Sequence, residues 1–89
     1  MGSPTPWVRK SIHSPEHQRL TALLRQLRKD AGLNQGDLAD RLGKPQSFVS
    51  KYETGERRLD LIELQHVCTV LGVTLGELVR QFEDGSQAS

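Results

Sequence analysis

Apolar residues recur three and four positions apart, the period of an amphipathic helix, in five blocks between Ser14 and Phe82. Leu20, Leu23, Leu24 and Leu27 form the first stripe. Ser14-Pro15-Glu16 opens it with a hydroxyl cap, a proline at the first helical position and an acid suited to the helix dipole, and Gly32 stops it after about Ala31. Leu38, Ala39 and Leu42 predict a second helix from Gln35 to Leu42, capped by Asn34 and ended by Gly43. Pro45 pre-sets the backbone for a third, Gln46 to about Glu53, with Val49 and Tyr52 turned inward. A fourth runs from Leu61 to Leu71 between the cap Asp60 and Gly72, with Leu61, Leu64, Val67, Cys68 and Leu71 as its apolar face. Thr74 and Glu77 make a capping box for a fifth, on which Leu75, Leu78, Val79 and Phe82 share a side. These elements predict one all-α domain over residues 14–82. Residues 1–13, rich in Gly, Ser and Pro, are expected to be a flexible arm, and residues 83–89, without apolar pattern, a disordered tail.

The stretch from Leu33 to Gly55 organises the rest. Gly43 and Pro45 lie so close together that only a tight turn fits between the second and third helices. Small Ala39 stands where two helices crossing steeply would touch. With Gln35 at the first helix start, Leu38-Ala39, Leu42-Gly43, Val49-Ser50 and the ending Glu53-Thr54-Gly55, this motif over residues 35–54 resembles the helix-turn-helix of the Cro and phage-repressor family, the XRE-like proteins. The likeness covers roughly Leu20 to Phe82. It implies a five-helix, lambda-repressor-like DNA-binding domain whose third helix enters the major groove. Lys44 stands where the family more often has an apolar residue, Pro45 replaces the usual Ser or Thr cap, and Tyr52 stands where Ile or Leu is common. The ring of Tyr52 is expected inside, its hydroxyl wet and turned toward a phosphate.

Residue roles follow from what base edges and phosphates accept. Gln46 and Ser47 occupy the first exposed turn of the recognition helix, and a Gln side chain can bridge N6 and N7 of adenine. Ser50 and Lys51 come one turn later, with Lys51 in reach of guanine or phosphate. Gln35, at a helix N-terminus, is expected to clamp one phosphate, and Arg57 and Arg58, just past the recognition helix, another stretch of backbone. Lys44 and Thr54 are further candidates. Each of these residues taken alone also reads as solvated surface, and for a single arginine that is the better reading; together they flank one helix. Phe48 fits stacking on Tyr52, the core, or a thymine methyl, and packing is favoured because an exposed phenylalanine needs a partner. The resemblance also implies a structural ion pair between Arg28 and Glu53, since the family pairs an arginine of the first helix with the glutamate closing the recognition helix. A guanidinium fork suits such a carboxylate.

Charge changes the picture by its distribution. The formal net charge is only +1, but residues 1–58 carry +5 and residues 59–89 carry −4. That polarity would turn the motif toward a phosphate backbone. Arg9 and Lys10 could extend it from the arm, while Trp7 more readily anchors on the body or on a partner subunit. With 35% hydrophobic residues in 89, the chain builds a single modest core. One cysteine excludes an intramolecular disulfide and a cysteine-based zinc site, and a buried thiol is expected at Cys68. No apolar run is long enough to span a membrane, so a cytoplasmic, nucleoid-associated protein of bacterial or phage type is expected.

The leading expectation is a dimeric, sequence-specific transcriptional regulator, a repressor or autoregulator reading an inverted-repeat operator in double-stranded DNA. The resemblance places homodimer contacts near Val70 to Phe82. The alternative is an antitoxin or adaptor whose main partner is a protein. His13, His17 and His66 form no believable triad or metal set with their neighbours, and no phosphate-binding glycine motif appears. No catalytic residue, metal or cofactor is therefore expected.

Overall fold

The structure, a computed structural model, describes residues 14–88. It consists of α1 (Pro15–Asp30), α2 (Gln35–Leu42), α3 (Gln46–Thr54), α4 (Leu61–Leu71) and α5 (Leu75–Ala88). The N-terminal arm expected over residues 1–13 lies outside the described residues.

Four of the five helix starts carry side-chain caps of the kind their sequences announce. Ser14 Oγ accepts from the His17 amide at 3.0 Å. Asn34 with Asp37, Asp60 with Glu63, and Thr74 with Glu77 each make reciprocal capping boxes. The start of α3 differs: Pro45 sits at the cap itself, one residue before the first turn it was expected to set, and makes no side-chain bond. Its carbonyl accepts from the Phe48 amide at 3.0 Å instead. Gly43, at φ 69°, is in the left-handed region that a side chain would strain. It lets the Lys44 amide fold back onto the Ala39 carbonyl at 2.9 Å, so the α2–α3 connection is only residues 43–45.

The core comprises Leu24, Leu38, Ala39, Val49, Tyr52, Val67, Cys68, Leu71 and Leu78. Helix α1 lies across α3 and α5, α2 packs on α3 and α4, and α4 on α5. Every helix therefore contributes to one apolar centre, and α3 is buried along one side only.

Three expectations need correction. Leu61 is 64% exposed: at the first position of α4 its Cβ leans past the helix end, where no other element reaches. Val79 is 45% exposed, because one residue of helix turns it about 100° from Leu78, which faces the core. Helix α5 continues past Phe82 to Ala88 where a disordered tail was expected. Once Leu75 and Leu78 have docked the first turns, each further residue adds a backbone hydrogen bond at little cost, even without apolar side chains.

Candidate nucleic-acid interface

Helix α3 is fixed from behind and open in front. Val49 and Tyr52 are buried to 1% exposure or less, whereas Gln46, Ser47 and Lys51 are exposed and Ser50 is half-buried. The Ser50 hydroxyl donates to the Ser47 carbonyl at 3.3 Å, so its side chain is folded against its own helix.

Glu53, near the end of α3, is the hub of a buried polar network. Arg28 Nε donates to Glu53 Oε2 at 2.7 Å and Arg28 Nη2 to Glu53 Oε1 at 3.0 Å, and both side chains are under one-tenth exposed. Arg28 Nη1 donates to the Leu33 carbonyl at 2.9 Å, which ties the α1–α2 loop into the same cluster. The hydrogen bond to Glu53 holds the Arg28 guanidinium above its usual pKa. Gln35 Nε2 completes the set, donating to Glu53 Oε1 at 3.0 Å. One carboxylate thereby joins α1, α2 and α3, the three elements that set the angle of the recognition helix.

This network changes what Gln35 has to offer. One Nε2 hydrogen is committed to Glu53, leaving the second, with the backbone amides of the first turn of α2 that Asn34 does not cap, to meet an anion. Gln46 stands close by: its Oε1 is 4.0 Å from where a Cβ on Gly36 would lie. Between them is an open depression of about 440 Å³ lined by Arg25, Arg28, Asn34, Gln35, Gly36 and Gln46. Arg25 is the residue sequence reasoning passed over. The signal was there, since Arg25 precedes Arg28 by three positions and so shares the side of α1 that meets the motif.

Arg57 is placed differently from a simple phosphate clamp. It forms a two-point ion pair with Glu63, at 3.1 and 2.8 Å, and donates to the Arg58 carbonyl at 2.9 Å. Its guanidinium also lies 4.6 Å from the centre of the Phe48 ring, with Lys44 Nζ 5.5 Å from the same ring. Phe48 in turn meets Tyr52 edge-on, at 5.8 Å and 78°. Hydrogen bonding to Arg57 pulls the Glu63 carboxyl down to about 2, helped by the Asp60 amide. Arg57 thus braces the loop between α3 and α4, and Arg58 is the exposed arginine of that loop. The Thr54 hydroxyl is engaged with the Lys51 carbonyl and the Glu56 carboxylate, both at 3.1 Å. Tyr52 departs from expectation: its hydroxyl is buried and has no hydrogen-bond partner among the described residues, so it faces no phosphate. Burial pushes its pKa up.

A short helix pinned by its buried side and its far end, preceded by a three-residue turn and a supporting helix, and offering a polar face to solvent, is a helix-turn-helix DNA-binding module. The helix-turn-helix family model matches residues 24–78. A solved XRE-family-like protein from Pseudomonas syringae is 45% identical, over 88% of this chain and 95% of its own, with a TM-score of 0.77. The chain belongs to the XRE family of helix-turn-helix proteins, and is a DNA-binding transcriptional regulator, not an enzyme. The clp gene regulator ClgR from Corynebacterium glutamicum is 27% identical over 84% of this chain and 79% of its own, with a TM-score of 0.73. A variant of the restriction-modification controller protein C.Esp1396I shares the fold at 20% identity, over 83% of this chain and 94% of its own, with a TM-score of 0.76. No curated protein sequence matches. Among the described residues, no group of three or more His, Cys, Asp or Glu side chains is placed to hold a metal, and no single helix is long and apolar enough to cross a membrane.

Proposed function

We propose that two copies of this chain act as a repressor or autoregulator, in the cytoplasm of a bacterium or phage host, by reading an inverted-repeat operator through α3. The observation that carries this reading is the one-sided burial of α3: Val49 and Tyr52 are locked in the core while Gln46, Ser47 and Lys51 project from a helix that Glu53 holds at a fixed angle. Preorganisation of that kind matters because side-chain contacts to base edges discriminate only when the donor and acceptor are already in register. Gln46 is the base reader, seconded by Ser47 and Lys51. Arg25, Lys44, Arg58 and the N-terminus of α2 at Gln35 hold phosphates on either side; Ser50 and Thr54 lie within the same footprint but spend their hydroxyls inside α3 and its following loop.

A lone domain contacts only a few base pairs, so operator specificity calls for two, with half-sites centred about 34 Å apart. The apolar surface available to a second copy is Leu61 and Ile62 at the start of α4, together with Val79 on α5; Leu71 and Leu78, inside the Val70 to Phe82 stretch first expected to hold the contact, belong to the core.

Selection of the full chain against random duplex DNA, with affinity followed across salt, tests the reading. Recovery of an inverted repeat whose affinity falls steeply as salt rises supports it. Recovery of no sequence, with binding to a protein partner that salt leaves unchanged, overturns it in favour of an antitoxin or adaptor.

A further inference from the structure

Phe48 stands at the border between the buried and the open side of α3. At about 100° of rotation per residue it falls between exposed Lys51 and buried Tyr52. Its ring is half-buried and packed against the core, where it meets Tyr52 edge-on. Two cations from beyond either end of the helix also lie against that ring. Lys44, in the turn before α3, sets its Nζ 5.5 Å from the ring centre, and Arg57, in the loop after α3, its guanidinium carbon 4.6 Å away. At such distances a cation is drawn electrostatically to the face of an aromatic ring. A leucine at position 48 would fill the same border without that attraction.

The two cations differ in what else they do. Arg57 commits its fork to Glu63 and donates to the Arg58 carbonyl at 2.9 Å, while its backbone amide donates to the Lys51 carbonyl at 3.1 Å. The loop that presents Arg58 is thereby tied, through Arg57, both to the ring and to the end of α3. Lys44 forms no ion pair among the described residues, so its ammonium keeps its N–H donors for a phosphate. A long side chain that ranges freely must be ordered when it meets DNA, which costs about two- to twelvefold in affinity. Holding the ammonium over the ring removes part of that cost in advance.

We infer that Phe48 is a positioning residue for the phosphate contacts: its ring holds Lys44 from the turn and Arg57 from the loop, so that both flanks of the DNA surface are set relative to α3 before DNA arrives. The inference rests on the operator-reading proposal and adds to it the residue that aligns the clamps with the reader, Gln46. Phe48 itself touches no base. Phosphates meet Lys44 and Arg58 at a spacing fixed by one side chain of the helix between them, which ties the backbone register to the base register.

Variants of the full chain separate this role from plain packing. Phe48→Leu keeps an apolar side chain and removes the aromatic face, whereas Phe48→Tyr keeps the face. Phe48→Met, equally apolar and more adaptable, takes the place of Phe48→Leu if that variant does not fold. Without DNA, the side-chain methylene protons of Lys44 and Arg57 should resonate upfield in the wild type and in Phe48→Tyr. They should move to ordinary values in Phe48→Leu while its helical circular dichroism stays. With DNA, Phe48→Leu should bind the operator and an unrelated duplex more weakly by one common factor of about two to twelve, and Phe48→Tyr should restore binding. Lys44→Met should lose much less affinity in the Phe48→Leu background than in the wild type, because the two side chains act as one unit. Ordinary methylene shifts in the wild type overturn the inference before any DNA is added. So does a loss from Phe48→Leu confined to one base pair, which would make the ring a reader of a thymine methyl, or a Lys44→Met loss equal in both backgrounds. A wild type that binds no duplex overturns the operator reading and this inference together. A Phe48→Leu variant that binds like the wild type overturns this inference and leaves the operator reading in place.

Discussion

Glu53 shows how much one side chain can decide. It accepts from Arg28 twice and from Gln35 once, and is nearly sealed from solvent, so losing either charge strands the other. Breaking a buried pair by removing one partner costs roughly 3–5 kcal/mol, whereas replacing both by apolar groups is often close to neutral. Arg28→Met and Glu53→Gln should each lower stability in chemical denaturation by roughly that 3–5 kcal/mol. The double variant Arg28→Met/Glu53→Leu should recover most of the loss; singles that melt like the wild type would show that the contacts contribute nothing. Gln46 stands at the opposite extreme, exposed and without structural duty. Gln46→Ala should leave the melting curve in place and remove about 1–3 kcal/mol of discrimination at one base pair of the operator, read by titrating single-base variants. Arg58→Ala should instead weaken binding to every sequence alike and flatten its salt dependence. Uniform loss from both variants would erase the division between reader and clamp.

At the scale of elements, the helices were legible because their ends are written in capping residues and their faces in leucines. Asn34, Asp60 and Gly43 all stand at the element boundaries they announce. The side chains around α3 were less legible, because their partners come from distant sequence. Nothing near Arg57 in the chain says that its guanidinium will stack on Phe48 and pair with Glu63, which lies on the next helix. Tyr52 was misread for the same reason: an amphipathic ring at a helix position of this kind leaves open where its hydroxyl points, and burial was fixed by α1 closing over it. The Arg57–Glu63 contact makes a pH prediction with a definite sign. The Glu63 carboxyl falls from 4.5 to about 2 in the folded chain, so the pair stabilises fully above pH 4.5 and is lost as pH drops toward 2. Both side chains are partly exposed, and solvent screening limits the effect to about 0.5–1 kcal/mol. Glu63→Gln should be less stable by that amount at pH 7 and should lose less stability than the wild type between pH 4.5 and 2. Parallel wild-type and variant curves through that window would contradict the assignment.

For the whole molecule, the proposed reading of an inverted repeat turns on where two copies of the domain would meet. Its surface keeps Leu61 and Ile62 side by side at 64% and 58% exposure, directly after the loop that carries Arg58. A helix start at the edge of the DNA footprint is where a two-fold contact can hold two copies of α3 on one side of a duplex, whereas a contact through the core residues of α5 would have to open the domain. Leu61→Lys combined with Ile62→Lys should therefore leave the fold intact, since both side chains already face solvent and such surface changes usually stay within about 0.5 kcal/mol. Coupling of two half-sites multiplies affinity by about 10²–10⁴ without any new DNA contact. The double variant should sediment as a monomer, lose affinity for the full operator by a factor in that range, and bind an isolated half-site as well as the wild type does, or better for the two added charges. A variant that still dimerises with full operator affinity would move the interface to Val79 and α5, and a wild type that is monomeric on a single half-site would remove the dimer from the proposal altogether.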